Sequence, residues 1–306
     1  MNEAFLAELR QVTPVRLNEP LSRHTTFGVG GPADAYVVAR TEDQLRAAYA
    51  IARKHTVPVF IFGSGSNVLV GDKGVRGLTI ENRANQVEGP AQNGAGFRVR
   101  VASGVSFAAL ARRLSFAGYS GIEWACGIPG SLGGAVLTNA GAYGSSLSDV
   151  LKVVRLGDDH GNVVEIKPEE LRLSYRDSAF AQGLVRDKVV LSVDLKLDRG
   201  DPQELRRRVR ELDSQRKAAQ PPGRNCGSVF KNPPGGYASW QLVDQAGLRG
   251  HRIGNAQISE QHANFVLNLG GATAADIVAL INLAQERVRE RFGIELEPEV
   301  AVVGEF

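Results

Sequence analysis

Apolar and polar residues in the first part of the chain are spaced as in a strand, a helix and a second strand. Residues 36–38 and 57–62 are short apolar runs typical of buried strands. Between them, Thr41 is a typical N-cap, and apolar residues then recur at the spacing of a helix face. These residues are Leu45, Ala48, Tyr49 and Ala52. The pattern predicts a βαβ unit.

A loop of small residues follows the second strand and consists of Gly63, Ser64, Gly65, Ser66 and Asn67. The next residues predict a strand over 68–70 and a turn over 71–74, so no helix begins at this loop. A dinucleotide-binding fold of the Rossmann type needs a helix there, because the helix N-terminus receives the pyrophosphate. The loop must therefore hold a ligand by another route, such as the backbone N–H groups of a nest.

The middle of the chain has the pattern of a β-rich region interrupted by one helix. The helix is capped by Ser106 and ends at Gly118, with apolar residues on one face. A turn over 158–161 predicts a hairpin between two of the strands. The predicted strands cover residues 77–80, 97–101, 150–156, 163–166 and 189–197.

Two longer helices and a final strand are predicted in the last third of the chain. Asp201 and Pro202 begin the first helix, whose arginines at 206–208 and 210 face outward, and we place a domain boundary near there. Thr273 begins the second helix with a capping box, and Gly293 ends it. Residues 297–303 then read as a strand.

Composition narrows the possible partners and the compartment. The 306 residues include 36 basic and 33 acidic side chains, and this small excess argues against nucleic acid or a membrane surface as the main partner. Cys126 and Cys226 form no CxxC pair, so neither a disulfide framework nor a metal site is predicted. With no apolar signal region and no long uncharged run, we expect a cytoplasmic protein that does not enter the membrane.

A second glycine-rich segment covers residues 127–144. Each glycine inside a regular element costs about 0.5–1 kcal/mol relative to alanine, so such a concentration is expected where backbone approaches a ligand closely. Tight turns in a β-rich domain are the alternative explanation. Together with residues 25–33 and 63–67, however, three such loops separated by strands indicate a long cofactor that carries phosphate, and FAD has that length.

Several motifs in a fixed order resemble one enzyme family over nearly the whole chain. They cover residues 26–33, 65–67, 127–144, 175–178, 227–233 and 298–300. With them the chain resembles the UDP-N-acetylenolpyruvoylglucosamine reductases, also called UDP-N-acetylmuramate dehydrogenases, of the shorter second type. The most restrictive pair is Tyr-Arg-Asp-Ser at 175–178 followed by Gly-Ser-Val-Phe-Lys-Asn-Pro at 227–233.

The resemblance implies an α+β fold: a two-subdomain FAD-binding fold of the FAD-linked oxidase (vanillyl-alcohol oxidase) type and a C-terminal α+β substrate domain. We expect FAD-binding subdomains over 1–75 and 76–200, a substrate domain over 201–295, and a last strand at 296–306 that returns to the first subdomain. FAD is expected to bind noncovalently. The residues implied to contact it are Thr26, Gly63, Ser64, Gly65, Ser66, Asn67, Gly127, Ile128, Pro129, Gly130, Ser131, Gly133, Gly134, Asn139, Gly141 and Ala142.

The resemblance also implies the reaction, which is a step of peptidoglycan precursor synthesis with small-molecule substrates. NADPH reduces the flavin, and the flavin N5 then delivers hydride to C3 of the enolpyruvyl ether of a UDP-sugar. Ser228 matches the family's proton donor to C2, and Arg176 is expected to form a bidentate pair with the substrate carboxylate. Glu299 matches the acid beside the enolate, and we expect it to carry or share a proton, because a carboxylate would repel that charge.

Four further residues are implied to contact the substrate: Tyr175, Lys231, Asn232 and His262. We assign His262 no proton transfer, because no neighbour in sequence looks like a partner for it. The chain departs from the family at Ala219, where many relatives have a lysine. Lys217 or Arg224 could supply the missing charge, and the sequence leaves this choice open.

Two other functions fit parts of the pattern. A different FAD-linked oxidase, acting on an alcohol or an amine, would use the same cofactor fold but would not need Ser228 as an acid. A flavin- or nucleotide-binding module without catalysis could use the arginines at 206–210 for a partner. Turnover of NADPH with the enolpyruvyl nucleotide distinguishes all three.

Overall fold

The computed structural model describes residues 2–185 and 187–306 as a mixture of helices and short strands. The α-helices are α1 (Glu3–Val12), α2 (Glu42–Lys54), α3 (Phe107–Phe116), α4 (Leu132–Leu137), α5 (Pro202–Ala219), α6 (Ser239–Gln245) and α7 (Ala274–Phe292). The strands are β1 (Val15–Pro20), β2 (Pro32–Ala39), β3 (Val59–Phe62), β4 (Val68–Val70), β5 (Val75–Asn82), β6 (Val87–Asn93), β7 (Gly96–Ala102), β8 (Tyr119–Ser120), β9 (Gly141–Ala142), β10 (Ser145–Ser146), β11 (Leu151–Asp158), β12 (Val163–Ile166), β13 (Lys188–Arg199), β14 (Arg252–Ile253), β15 (Ala256–Ile258), β16 (Val266–Asn268) and β17 (Ala301–Val303).

The strands form two larger sheets and several small ones. A four-stranded sheet has the order β1-β2-β5-β3, in which β3 and β5 are parallel. A larger antiparallel sheet has the order β12-β11-β13-β7-β6, and β8 pairs with the end of β13. β14, β15 and β16 form a small antiparallel sheet, β9 pairs with β10, and β17 pairs in parallel with β4.

By its internal contacts the chain divides into two compact units. Unit 1 comprises Met1–Arg16, Ala35–Ser64 and Gly77–Gln215, and unit 2 comprises Leu17–Asp34, Gly65–Arg76 and Arg216–Phe306. The predicted boundaries at residues 75, 200 and 295 stay predictions.

Unit 1 contains most of the large antiparallel sheet and the helix that covers it. α3 begins at Ser106, whose side chain accepts a hydrogen bond from the Ala109 N–H, as expected for an N-cap. Its buried face packs into the core of the sheet, where Phe107 lies edge-on to Trp124 with the ring centroids 5.6 Å apart. This packing fixes the segment that leads into the second glycine-rich region.

Unit 2 is organised around α7. The capping box is present, because the Thr273 side chain accepts from the Asp276 N–H while the Asp276 carboxylate accepts from the Thr273 N–H. Asp72 adds a second carboxylate, which accepts hydrogen bonds of 2.8 and 3.0 Å from the N–H groups of Ala274 and Ala275. Four acceptors thus satisfy the N-terminal donors of α7 and tie it to the turn after β4.

The final strand is shorter than predicted. Residues 297–303 were expected to form one strand, but β17 contains only Ala301–Val303. The earlier part of the segment is bonded elsewhere: the Lys231 N–H donates to the Glu297 carbonyl, and the Glu299 N–H donates to the Val229 carbonyl. The chain therefore changes partner at residue 300, and this change attaches it to the segment that contains Ser228.

Among the described residues, no helix combines the length and apolar character required to cross a bilayer.

Candidate active site

The backbone that follows Ser228 is fixed in unit 2 by hydrogen bonds on both sides. On one side the Val229 N–H donates to the Asn264 carbonyl at 2.8 Å, and on the other the Val229 carbonyl accepts from the Glu299 N–H at 2.7 Å. The buried Asn264 side chain also bonds both backbone groups of Phe230, at 2.9 and 2.8 Å. Ser228 is half-buried, and within the described part of the chain its hydroxyl makes no hydrogen bond. The hydroxyl is therefore held on a rigid backbone without a competing partner.

Glu299 is attached to the first glycine loop as well as to the Ser228 segment. The Asn67 side chain donates to the Glu299 carbonyl at 2.9 Å, and the Ala301 N–H donates to the Asn67 carbonyl at 3.0 Å. The same loop holds the N-terminal motif, because the Thr26 N–H donates to the Gly65 carbonyl. In unit 2, one network of hydrogen bonds thus connects the segments of two predicted catalytic residues and three predicted cofactor contacts. They are Ser228 and Glu299, and Thr26, Gly65 and Asn67.

Cys226 indicates the polarity of the space beside Glu299. The Cys226 side chain is buried in an apolar cluster that includes Val229 and Val300. Burial, followed by the negative charge of Glu299, raises the pKa of the Cys226 thiol. The Cys226 thiol is neutral at physiological pH, and the apolar cluster around it includes Val300, the neighbour of Glu299 in sequence.

Two predicted substrate residues already have partners in unit 2. The Lys231 ammonium pairs with the Glu297 carboxylate at 2.5 Å. The Asn232 side-chain oxygen accepts the Ser239 N–H at 3.0 Å, at the start of α6. Their contacts with the substrate stay predictions.

His262 acts as a packing residue in the described structure. Its Nδ1 accepts the Asn264 N–H at 3.3 Å, and its ring lies edge-on to Phe265 at 4.8 Å. Burial lowers the pKa of His262, so the ring is neutral at neutral pH. A neutral ring with one nitrogen engaged supports Asn264 and, through it, the Ser228 segment. The predicted contact between His262 and the substrate stays a prediction.

In unit 1 the second glycine segment contacts the first residue of the first glycine loop, Gly63. A side chain at Gly63 would have its Cβ 2.1 Å from the Ser131 hydroxyl oxygen, so only glycine fits. Ser131 is itself held, because its hydroxyl accepts the Gly134 N–H and caps α4. The Gly133 N–H donates to the Ser103 carbonyl at 2.7 Å. Within unit 1, Gly63 and the backbone of 131–134 are close-packed, as expected where backbone accommodates a phosphate-bearing cofactor.

Arg176 is attached to the same glycine segment. Its guanidinium donates to the Gly141 carbonyl at 2.7 Å and lies 5.5 Å from the centre of the Tyr175 ring. The backbone of Arg176 has φ of +51°, and Asn139 nearby in the segment has φ of +41°. Left-handed backbone at non-glycine residues costs about 1–3 kcal/mol and is concentrated at functional sites. The Asn139 amide bonds the Ser174 carbonyl and the Ser148 N–H, which holds these turns in place.

The structure thus presents the predicted site residues in two groups. Unit 2 contains Ser228, Glu299, Thr26, Gly65, Ser66, Asn67, Lys231, Asn232 and His262, and unit 1 contains Arg176, Tyr175, Gly63, Ser64 and the residues of 127–142. That Arg176 meets Ser228 and Glu299 at one substrate stays a prediction. Asn264 lies in the segment 261–265, which matches the family pattern, but sequence reasoning assigned it no role of its own; in the structure its buried amide finds its partners in the segment that follows Ser228.

Comparisons with known proteins agree in pointing to one group of enzymes. Residues 217–303 match the family described as UDP-N-acetylenolpyruvoylglucosamine reductase, C-terminal domain, and residues 33–167 match the family described as FAD binding domain. The chain is 39% identical to a UDP-N-acetylenolpyruvoylglucosamine reductase of Lachnoclostridium phytofermentans, over 100% of this chain and 99% of the relative. It is 44% identical to one of Rubrobacter xylanophilus, over 95% of each. It also resembles the crystal structure of the Thermus caldophilus reductase, with a TM-score of 0.78, 36% identity, and coverage of 95% of this chain and 100% of that one.

Proposed function

The chain belongs to the family of UDP-N-acetylenolpyruvoylglucosamine reductases, and from this membership we propose how its residues share the work of the reaction. The protein is an FAD-dependent oxidoreductase that reduces UDP-N-acetylenolpyruvoylglucosamine in peptidoglycan synthesis. Its fold is α+β, with an FAD-binding fold of the FAD-linked oxidase type followed by a C-terminal domain of the reductase family.

The observation that carries the proposal is the hydrogen bond between the Glu299 N–H and the Val229 carbonyl. This bond places the backbone of Glu299 next to Val229, the residue that follows Ser228. The Ser228 hydroxyl and the Glu299 carboxyl group are therefore attached to neighbouring segments of hydrogen-bonded backbone. A reaction that ends with protonation of an enolate requires such a pair: one group that gives a proton to carbon and one that supports the carboxylate side.

The residues of both glycine loops fit FAD. The backbone at Gly63 packs against Ser131 so closely that only glycine fits there, and most of the other loop residues have small side chains. FAD held there would supply the hydride-transfer chemistry between NADPH and C3 of the enolpyruvyl group. We assign its binding to the residues named above from Thr26 to Ala142, and because these are mainly glycine, serine and asparagine, the binding is noncovalent.

Ser228 gives its proton to C2 of the reduced substrate. A hydroxyl is a weak acid, but it suffices toward a strongly basic carbanion when held within hydrogen-bonding distance. Arg176 binds the substrate carboxylate and stabilises the negative charge that develops on it. Glu299 carries a proton in the reactive complex and, through this proton, donates a hydrogen bond to the substrate carboxylate.

We further propose that the protein is cytoplasmic, that its partners are NADPH and the UDP-sugar rather than nucleic acid or membrane, and that Tyr175, Lys231, Asn232 and His262 line the substrate pocket. Two observations support this. Cys126 and Cys226 are both free thiols, which a reducing compartment preserves. The charge balance of +3 leaves no general attraction for polyanions.

The function is tested by the visible spectrum of the purified protein. A flavin spectrum should bleach with NADPH under anaerobic conditions and return when UDP-N-acetylenolpyruvoylglucosamine is added. A flavin that bleaches but is not reoxidised by this nucleotide would indicate a different oxidoreductase. A protein without flavin reduction would indicate a binding module.

Exchange of Glu299 for glutamine should change the dependence of turnover on pH. If Glu299 acts with its proton bound, wild-type kcat falls as the pH rises through the pKa of that carboxyl group, because the ionised form repels the enolate. Glu299→Gln removes this group, so the alkaline fall in kcat should disappear. The measurement is kcat against pH for wild type, Glu299→Gln and the exposed control Glu295→Gln. An unchanged profile in Glu299→Gln contradicts the assigned role.

A further inference from the structure

Arg224 lies across the N-terminal glycine motif in a manner that no role assigned above explains. A Cβ built at Gly28 would be 2.8 Å from Nη1 of Arg224 and 3.0 Å from its Cδ. Gly28 also has φ of +67°, which favours glycine. The guanidinium therefore lies directly against the backbone of this loop, two residues after Thr26.

The position of Arg224 is fixed by its backbone. The Arg224 carbonyl accepts the Asn268 N–H at 2.9 Å, and the Asn268 side chain donates to the Phe27 carbonyl at 2.8 Å. The next residue, Asn225, accepts the Gly227 N–H at 2.9 Å. Arg224 is thus connected by hydrogen bonds both to the Gly28 loop and to the turn that precedes Ser228.

Its charge is not compensated within the described part of the chain. The Arg224 guanidinium has no ion pair and no side-chain hydrogen bond there, whereas Arg249 and Arg76 in the same unit pair with Asp244 and Asp34. An exposed arginine is ordinarily mobile. Here the side chain is held by packing over a glycine while its donors stay available, which is the arrangement expected for an anion-binding residue.

We propose that Arg224 binds a diphosphate group at this site. The inference rests on the proposed function, because all three ligands of that reaction carry a diphosphate: FAD, the UDP-sugar and NADPH. A planar guanidinium matches two phosphate oxygens at once. Arg224 is then the basic residue that replaces the lysine absent at position 219.

The experiment compares Arg224→Gln and Arg224→Lys with wild type and with Arg252→Gln. Arg252 is the matched control, because it is an exposed arginine of unit 2, on β14. FAD affinity is measured by titrating the apoprotein and following flavin fluorescence. KM is measured separately for UDP-N-acetylenolpyruvoylglucosamine and for NADPH, and the thermal midpoint of each variant reports on folding.

Loss of a charge-assisted pair should weaken one of these ligands about ten- to a hundredfold in Arg224→Gln. The ligand whose constant changes identifies the diphosphate. Arg224→Lys should recover part of the loss, and Arg252→Gln should behave as wild type. If Arg224→Gln keeps all three constants within about twofold of wild type, or only lowers the thermal midpoint, the proposal is wrong. If the wild type fails to reduce the enolpyruvyl nucleotide, titration of the protein with each of the three ligands replaces the KM values, so the two failures are distinguishable.

Discussion

Ser228→Ala is expected to keep bound flavin and its reduction by NADPH while losing product formation by about a hundred- to ten-thousandfold. The reason is that only the second half of the reaction needs a proton at C2. The Ser228 segment is held by Asn264 and Glu299 through backbone groups of Val229 and Phe230, so removing the hydroxyl leaves the scaffold unchanged. The measurement is the rate of each half-reaction by anaerobic stopped-flow absorbance of the flavin.

A second variant separates chemistry from structure at this position. Ser228→Cys offers a stronger acid on nearly the same frame and should recover part of the reoxidation rate. Equal loss of both half-reactions in Ser228→Ala, or full reoxidation without the hydroxyl, would refute the role of Ser228 as the acid.

Arg176→Lys is expected to lower the rate of flavin reoxidation by about a hundredfold, the scale seen when one donor to a developing negative charge is removed. Lysine keeps the positive charge but loses the planar guanidinium, which in the structure donates to Gly141 while packing beside the Tyr175 ring. The flavin reduction rate should change little. Stopped-flow measurements of both half-reactions at saturating substrate test this.

Arg172→Lys is the control for Arg176→Lys. Arg172 also has left-handed backbone, with φ of +49°, and lies four residues earlier on an exposed turn. The two exchanges therefore perturb the same kind of backbone, and only the one at Arg176 should slow reoxidation. Similar effects of both would show that the loop, and not the guanidinium, controls the rate.

Helices with clear end signals could be predicted from the sequence. α2, α3 and α7 begin at Thr41, Ser106 and Thr273, where each predicted cap accepts its hydrogen bond. In each cap the donor and the acceptor are three residues apart, so the cap can be predicted from the residues at those positions alone. The strand predicted over 68–70 after the first glycine loop is also present, and it confirms that no helix begins there.

Elements that depend on distant partners could not be predicted. β14, β15 and β16 have two or three residues each, too few to show a period of two. β6 is mostly exposed and contains Pro90, so its pattern is not that of a strand. The final strand was predicted four residues too long because residues 297–300 are extended but bond to the Ser228 segment instead of the sheet.

The site shows the same limit. The motifs identify Ser228, Arg176 and Glu299, but neither pattern nor spacing reveals that Asn264 holds the Ser228 segment or that Arg224 rests on Gly28. Both are tertiary contacts between segments 34 and 196 residues apart in sequence, as the numbers 230 and 264, and 28 and 224, show. Such contacts follow from the complete fold and not from any local preference.

We propose that Ser228, Arg176 and Glu299 meet at the enolpyruvyl group of one bound substrate. The decisive measurement is a crystal structure of the full chain with FAD and UDP-N-acetylenolpyruvoylglucosamine. We expect the Ser228 hydroxyl about 3–3.5 Å from C2, on the face opposite the flavin, with Arg176 and Glu299 on the carboxylate. A substrate whose carboxylate is held by other residues, with Ser228 turned away from C2, would contradict it.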